Sequence, residues 1–361
     1  MKKTRKIEFA FEIFRTVLSM VIAYLLCIVV MLVVTDDPTE AVYLFSIGPF
    51  TSARRFGMIM SRFIPYLFTG VGMCFIYAVN RFNMIGDGVY MLAGCFTAMI
   101  TTGFGANLPH IILIIVILIA CAIMGAVVGS VPTVMDQKFG ANEVVVSIMM
   151  NYIITYVCIY LLKTVLRDPD ITYLASMKFD GKISLFEFIK NSNVNTGLIL
   201  GLIVVVVVGI FFYNSKGGFS MRICGENSDF ARYAGLNVNK TVLIAEAIGI
   251  SLCAIGGAID IMGVYDRYIW TALPGLAADG LLVAVLARKN PFMVPLGAFL
   301  LAYIKAGANI LNVNTDIPIE FVYIAQSVII LLIAAKSFMS GLKNRAIIRS
   351  AQIETTKEES K

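Results

Sequence analysis

The sequence predicts an all-α membrane protein of about ten transmembrane helices, with an inverted repeat and discontinuous helices near the bilayer midplane. Three observations lead there. Of the 361 residues, 59% are hydrophobic and only 14% charged, and mean hydropathy is +0.85, more apolar surface than a soluble domain could cover. The apolar residues lie in continuous runs, many of them near the ~20 residues needed to cross a ~30 Å hydrocarbon core. They do not alternate, which disfavours a β-barrel, and backbone groups in lipid must pair within their own segment, which leaves helices. The net charge of +6 comes from basic residues at membrane-flanking loops and the chain ends, so no nucleic-acid partner is needed to explain it.

Taken in order, Lys2, Lys3, Arg5 and Lys6 precede the run 17–34. The arrangement imitates a signal peptide, but Thr35-Asp36-Asp37-Pro38 follows without a small-residue cleavage site, so an uncleaved first span with its N-terminus inside is expected. Segment 36–55 is then external and holds a short apolar piece, 41–50, too brief to cross. Further spans are expected at 57–79, 89–102, 111–131, 144–162, 196–213, 242–263, 276–287, 292–309 and 321–335. Both termini are then cytoplasmic, and most of the 29 Lys and Arg fall on the inner side. Residues 1–343 form one transmembrane domain, with an external loop at 163–195 and a polar cytoplasmic tail at 344–361.

The stretch 214–241, NSKGGFSMRICGENSDFARYAGLNVNKT, is the longest polar, cation-bearing segment inside the apolar bulk. Lys216, Arg222, Arg232 and Lys240 place it in the cytoplasm. Its middle, 226–233, reads as a short helix that Asn227 or Ser228 can cap, with Asp229 in the first turn and Gly235 ending it in a left-handed conformation. A helix presented this way suits docking with a soluble partner; a solvated connector fits the composition equally.

Two spans open on Asp-Gly: Asp87-Gly88 in FNMIGDGVYMLAGC and Asp279-Gly280 in PGLAADGLLVAVLA. The first follows a span ending inside and the second a span ending outside, as inverted halves require. Short, glycine-interrupted segments at matching places point to a midplane binding site; two Asp caps at helix starts would read the same way. Ionisable residues at membrane depth are Arg62, Asp87, Glu143, Glu246, Asp260, Asp279 and Lys305. Arg62 and Lys305 are close enough to span ends to snorkel, and Glu246 to face water. Glu143 and Asn151 lie about two turns apart on one helix face. The seven cysteines have no CxxC spacing, and His110, after Pro109, opens a span, so neither residue type reads as metal-ligating. No GxxxxGK[ST] loop, GxGxxG or HExxH occurs, so the chain is not expected to hydrolyse ATP and needs no cofactor of its own.

FNMIGDGVYMLAGCF, NEVVVSIMMNYI, GENSDFARYAGLNV, GGAIDIMGVYDR and LAADGLLVAVLARKNP occur in this order between Phe82 and Pro291. Together they resemble the permease subunits of bacterial ABC importers, in the family that includes permeases for branched-chain amino acids, ribose and simple sugars. The Asn-Glu-Val start and the acid in GGAIDIMG are similar to its nucleoside branch. That branch usually has Glu-Gly-Gln where this chain has Asp87-Gly88-Val89, and Gly where it has Ala287.

The resemblance implies a bacterial cytoplasmic membrane subunit that moves substrate by alternating access. Its partners would be a cytoplasmic ABC ATPase that uses the ATP, a second permease subunit (a related chain or the same one) and an extracellular substrate-binding lipoprotein. It implies a coupling helix at 226–235, with Gly225, Glu226, Asn227, Asp229, Ala231, Arg232 and Gly235 at the ATPase. It also implies a pathway near Phe82, Asn83, Asp87, Asn151, Asp260 and Asp279, where amides and carboxylates would meet nucleoside hydroxyls and base edges. Phe82, Tyr90, Tyr152 and Tyr265 could stack on a base. The same machine carrying a simple sugar, and a secondary transporter using Asp87, Asp260 and Asp279 for a coupling ion, are the alternatives.

Overall fold

The computed structural model describes residues 25, 28, 38–105, 109–179, 185–189 and 194–314. The expected spans 17–34 and 321–335 and the tail 344–361 lie outside the described residues, apart from positions 25 and 28. Two compact units are present, residues 48–306 and residues 1–47 with 307–361. In the second of these, α1 (Pro38–Ser46) is the helix formed by the short apolar piece, and Gly307 lies against the Phe45 backbone and ring.

The larger unit starts with α2 (Ala53–Ala78), whose first turn is capped by Ser52 accepting from the Arg55 N–H. It continues with α3 (Gly86–Phe104), α4 (His110–Gly129), α5 (Val131–Phe139) and α6 (Glu143–Leu161). A two-stranded hairpin, β1 (Glu187–Ile189) and β2 (Val194–Asn195), precedes α7 (Gly197–Asn214). Then come α8 (Lys216–Glu226), α9 (Ser228–Tyr233), α10 (Val238–Val264), α11 (Leu276–Leu286) and α12 (Val294–Asn314), the last of which runs on into the other unit.

Among the described residues six helices are long and apolar enough to cross a membrane: Ala53–Ala78, His110–Phe139, Glu143–Leu166, Gly197–Asn214, Val238–Val264 and Pro291–Asn314. The chain is an all-α, multi-spanning membrane protein. Two expected spans differ from the rest. The helix expected at 89–102 runs over 19 residues, longer than its apolar run, because Gly86 and Asp87 join its first turn. The other Asp-Gly helix, α11, has only 11 residues and starts at Leu276, so Asp279 lies inside its first turn instead of ahead of it.

The core forms around α10, which packs against α2, α3 and α4, while α11 packs on α2. Close approach is possible because the α2–α10 crossing is glycine on glycine: a Cβ on Gly249 would come within 2.6 Å of the Gly72 carbonyl oxygen. The outward faces stay apolar. Ile111, Ile115, Ile119 and Ile123 on α4 are exposed, as are Ile199, Ile203, Val206 and Ile210 on α7, the surface a bilayer would cover. The six described cysteines are all buried, in keeping with small core residues.

The two ends of this unit are built differently. At one end the long loop after α6 hydrogen-bonds to the strand-like segment after α10: Ser176 N–H donates to Tyr268 O at 3.0 Å and Phe179 N–H to Asp266 O at 3.0 Å, beside an Arg267–Asp168 ion pair at 2.7 Å. At the other end α5, α8 and α9 gather, with Gln137 donating to the Asn239 carbonyl at the start of α10.

Candidate functional site

The expected pathway residues fall into three neighbouring groups. The first is built on helix starts. The α11 N-terminus follows Gly275, which has no side chain to cap it, and the cap arrives from another helix. Asp87 accepts from Ala277 N–H at 2.8 Å and from Ala278 N–H at 3.2 Å, so its carboxylate faces the positive end of α11. Asp87 therefore does not cap its own helix. That role falls to Asn151 on α6, which accepts from Gly88 N–H at 2.9 Å and donates to Met84 O at 2.8 Å, bridging the turn into α3.

The second group centres on Asp279. It accepts from the Tyr66 hydroxyl at 2.8 Å and forms a close ion pair with Lys305. Lys305 was expected to snorkel; instead its ammonium turns inward, because a buried carboxylate on α11 is a stronger attraction than the membrane surface. Tyr66, Asp279 and Lys305 come from α2, α11 and α12, three elements that no sequence motif connects.

Asp260 forms the third group. It is buried on α10, within electrostatic reach of Tyr90 and Arg62. Arg62 itself is exposed, in the third turn of α2 and not at its end. Above it sits an aromatic cluster on Trp270, whose ring lies 5.5 Å from Tyr90, 5.6 Å from Tyr265 and 5.7 Å from Tyr268. Trp270 is the only tryptophan in the chain, a signal that sequence reasoning passed over.

Asn83 and Phe82 are set apart from these groups. Asn83 is buried and donates to Glu246 at 2.8 Å and to Gly129 O at 3.1 Å, so its amide is already used by the protein. Phe82 is half exposed and meets Tyr77 edge-on at 5.1 Å, and Tyr152 is exposed on the outer face of α6. Glu246, expected near water, is fully buried, because α5, α6 and the α2–α3 connection close over it.

The polar stretch 214–241 is two helices, where one was expected. Ser215 caps α8 by accepting from Gly218 N–H at 3.0 Å, and α8 ends at Glu226, which places that residue before the short helix. The short helix is α9, Ser228–Tyr233, with Asn227 as its cap, accepting from Phe230 N–H at 2.9 Å. Gly235 follows in the left-handed region at φ +81°. Gly225 presses α8 against the last turn of α2 at Ala78, and Ala231 is the buried foot of α9. Asp229 and Arg232 are exposed, and Phe230 and Tyr233 project beside them, Tyr233 at 92% exposure. A rigid base carrying an exposed aromatic tip is a geometry suited to a groove on another protein.

Comparison with known proteins adds a family. The model of the branched-chain amino acid transport system permease component matches residues 56–334. The guanosine ABC transporter permease protein NupP of Bacillus subtilis is 29% identical over 291 residues, 80% of this chain and 83% of that protein. The nucleoside ABC transporter permease protein NupB of Lactococcus lactis is 26% identical over 353 residues, 94% of this chain and 96% of that one. The glucose ABC transporter permease protein TsgB13 of Haloferax volcanii is 23% identical over 315 residues, 84% of this chain and 82% of that one.

Proposed function

Because this chain belongs to the family of branched-chain amino acid transport system permease components, and is thus a transport subunit and not an enzyme, we propose that it carries nucleosides inward across the cytoplasmic membrane as the permease of an ATP-driven ABC importer. One observation carries the cargo: similarity to a nucleoside permease spans 94% of this chain and 96% of the relative. ATP is used by a cytoplasmic ATPase that seats α9, substrate arrives on an external binding lipoprotein, and a second permease chain completes the pathway. Gly225, Glu226, Asn227, Asp229, Ala231, Arg232 and Gly235 form or support the docking segment.

The substrate passes by alternating access along Asp87, Asn151, Asp260 and Asp279, with Phe82 and Asn83 at the inner mouth. Asp87 and Asp279 are engaged by helix N–H groups, a hydroxyl and a cation, which suits a neutral, hydroxyl-bearing solute better than a coupling ion. Ten spans, both termini cytoplasmic and two inverted halves marked by Asp87-Gly88 and Asp279-Gly280 complete the reading. The test is uptake of labelled guanosine or adenosine by vesicles holding the whole complex, with and without internal ATP. ATP-dependent uptake competed by nucleosides and not by glucose is the expected result; the reverse competition makes the cargo a sugar, and uptake without ATP removes the machine.

A further inference from the structure

A polar cluster lies at the end of the larger unit that carries α8 and α9, separate from the Asp87–Asp279 groups. Glu246 on α10 is fully buried, and Glu143 at the start of α6 is 6% exposed. The Thr133 hydroxyl from α5 lies between them, 3.3 Å from Glu143 Oε1 and in very close contact with Glu246 Oε2. Glu246 Oε2 also accepts from the Asn83 amide at 2.8 Å, and the two carboxyl groups are within hydrogen-bonding reach of one another.

Two features of this arrangement need an additional hydrogen. Thr133 has one hydroxyl hydrogen and meets an oxygen of each carboxyl group, so it can donate to only one of them. Among the described residues Glu246 Oε1 has no donor, although it is buried. An ionised carboxylate left in that condition carries a desolvation cost of several kcal/mol.

Nor does a counter-ion supply the balance. Arg81, from the α2–α3 connection, is the cation of the cluster, and it lies 2.7 Å from Asp136 and 3.6 Å from Glu143. Among the described residues no cation pairs with Glu246. One guanidinium thus meets two carboxyl groups, Asp136 and Glu143, and leaves Glu246 to Thr133 and Asn83. The other elements packed against α10 at this level bring little charge. Gly72 and Ile76 of α2 and Gly129 of α4 are apolar, and the α8 thiol of Cys224 meets α10 further back, at Thr241. No group of three or more acidic, histidine or cysteine side chains that could hold a metal ion occurs among the described residues.

We propose that Glu143 and Glu246 form a proton-binding site, holding one proton between them in the folded protein. The proton completes an O–H···O bond between the two carboxyl groups, gives Glu246 Oε1 its missing hydrogen and brings the cluster close to balance around Arg81. It also ties α10, the helix that follows α9 directly, to α5, α6 and the turn into α3. Loss of the proton leaves two adjacent buried carboxylates that repel and loosens the packing of α10 on α5 and α6.

Infrared difference spectra of the full chain in lipid nanodiscs test the site without substrate or partners. At neutral pH, wild type minus Glu246→Gln is expected to show one protonated-carboxyl C=O band, which disappears from wild type as pH is raised. Over the same interval the wild-type Tm should fall and that of Glu246→Gln should stay level. A difference spectrum holding only ionised-carboxylate bands, or two Tm profiles that coincide, overturns the proposal. Thr133→Val keeps both acids and guards against a glutamine variant that fails to fold: the band is expected to remain and shift in frequency, and an unmoved band overturns the proposal too.

Discussion

Lys305 shows how strongly a buried partner can redirect a side chain. It is 18% exposed and paired with Asp279, itself 9% exposed, with Tyr66 donating to the same carboxylate. Lys305→Met removes the cation from that charge, and breaking a buried pair from one side costs about 3–5 kcal/mol. A lower Tm is therefore expected, with much of the loss recovered when Asp279→Leu is added, since an apolar pair carries no unpaired charge. At Asp87 the expected loss is smaller. Asp87→Ala removes two acceptors from the start of α11, a capping contribution of roughly 1–2 kcal/mol, and denaturant or thermal unfolding of the purified chain reads it directly. Neither partnership was legible beforehand. Asp87 reads in sequence as the cap of its own helix, and its actual partner lies 190 residues away, while Tyr66 and Asp279 are 213 residues apart.

At the scale of elements, α9 is the part of the molecule whose local sequence and structure agree most closely. Its Asn227 cap and its Gly235 terminator are decided within a few residues of each other, by hydrogen bonds and backbone sterics that a short window contains. Only Glu226 was placed wrongly, because a second cap at Ser215 starts α8 and carries it through that position. Gly235→Ala forces an L side chain into a left-handed turn at a cost of about 1–2 kcal/mol. With the docking role proposed for α9, this variant and deletion of residues 228–233 should leave membrane insertion and ATPase activity of the complex intact while uptake falls. Normal uptake by the deletion variant would remove α9 from the coupling path. Phe230→Ser with Tyr233→Ser is a milder version, aimed at the exposed aromatic tip.

For the whole molecule, the prediction is one of sidedness. A membrane-impermeant maleimide should label Tyr173→Cys, in the long loop after α6, from outside intact cells, and Ser228→Cys only after the membrane is opened. The opposite pattern would invert the topology and separate α9 from any cytoplasmic ATPase. The class of the protein and the places of the described spans were determined by the sequence alone, because transfer of apolar side chains into a bilayer depends on residues close together in the chain. The caps at Ser215, Asn227 and Asn237 belong to the same local chemistry. The tertiary structure alone decided which acid meets which donor: Asp87 at the α11 N-terminus, Asp279 with Lys305, and Glu246 enclosed with Glu143 and Thr133. A buried carboxylate is tolerable only with its partners in place, and those partners arrive from helices whose neighbours no local pattern specifies.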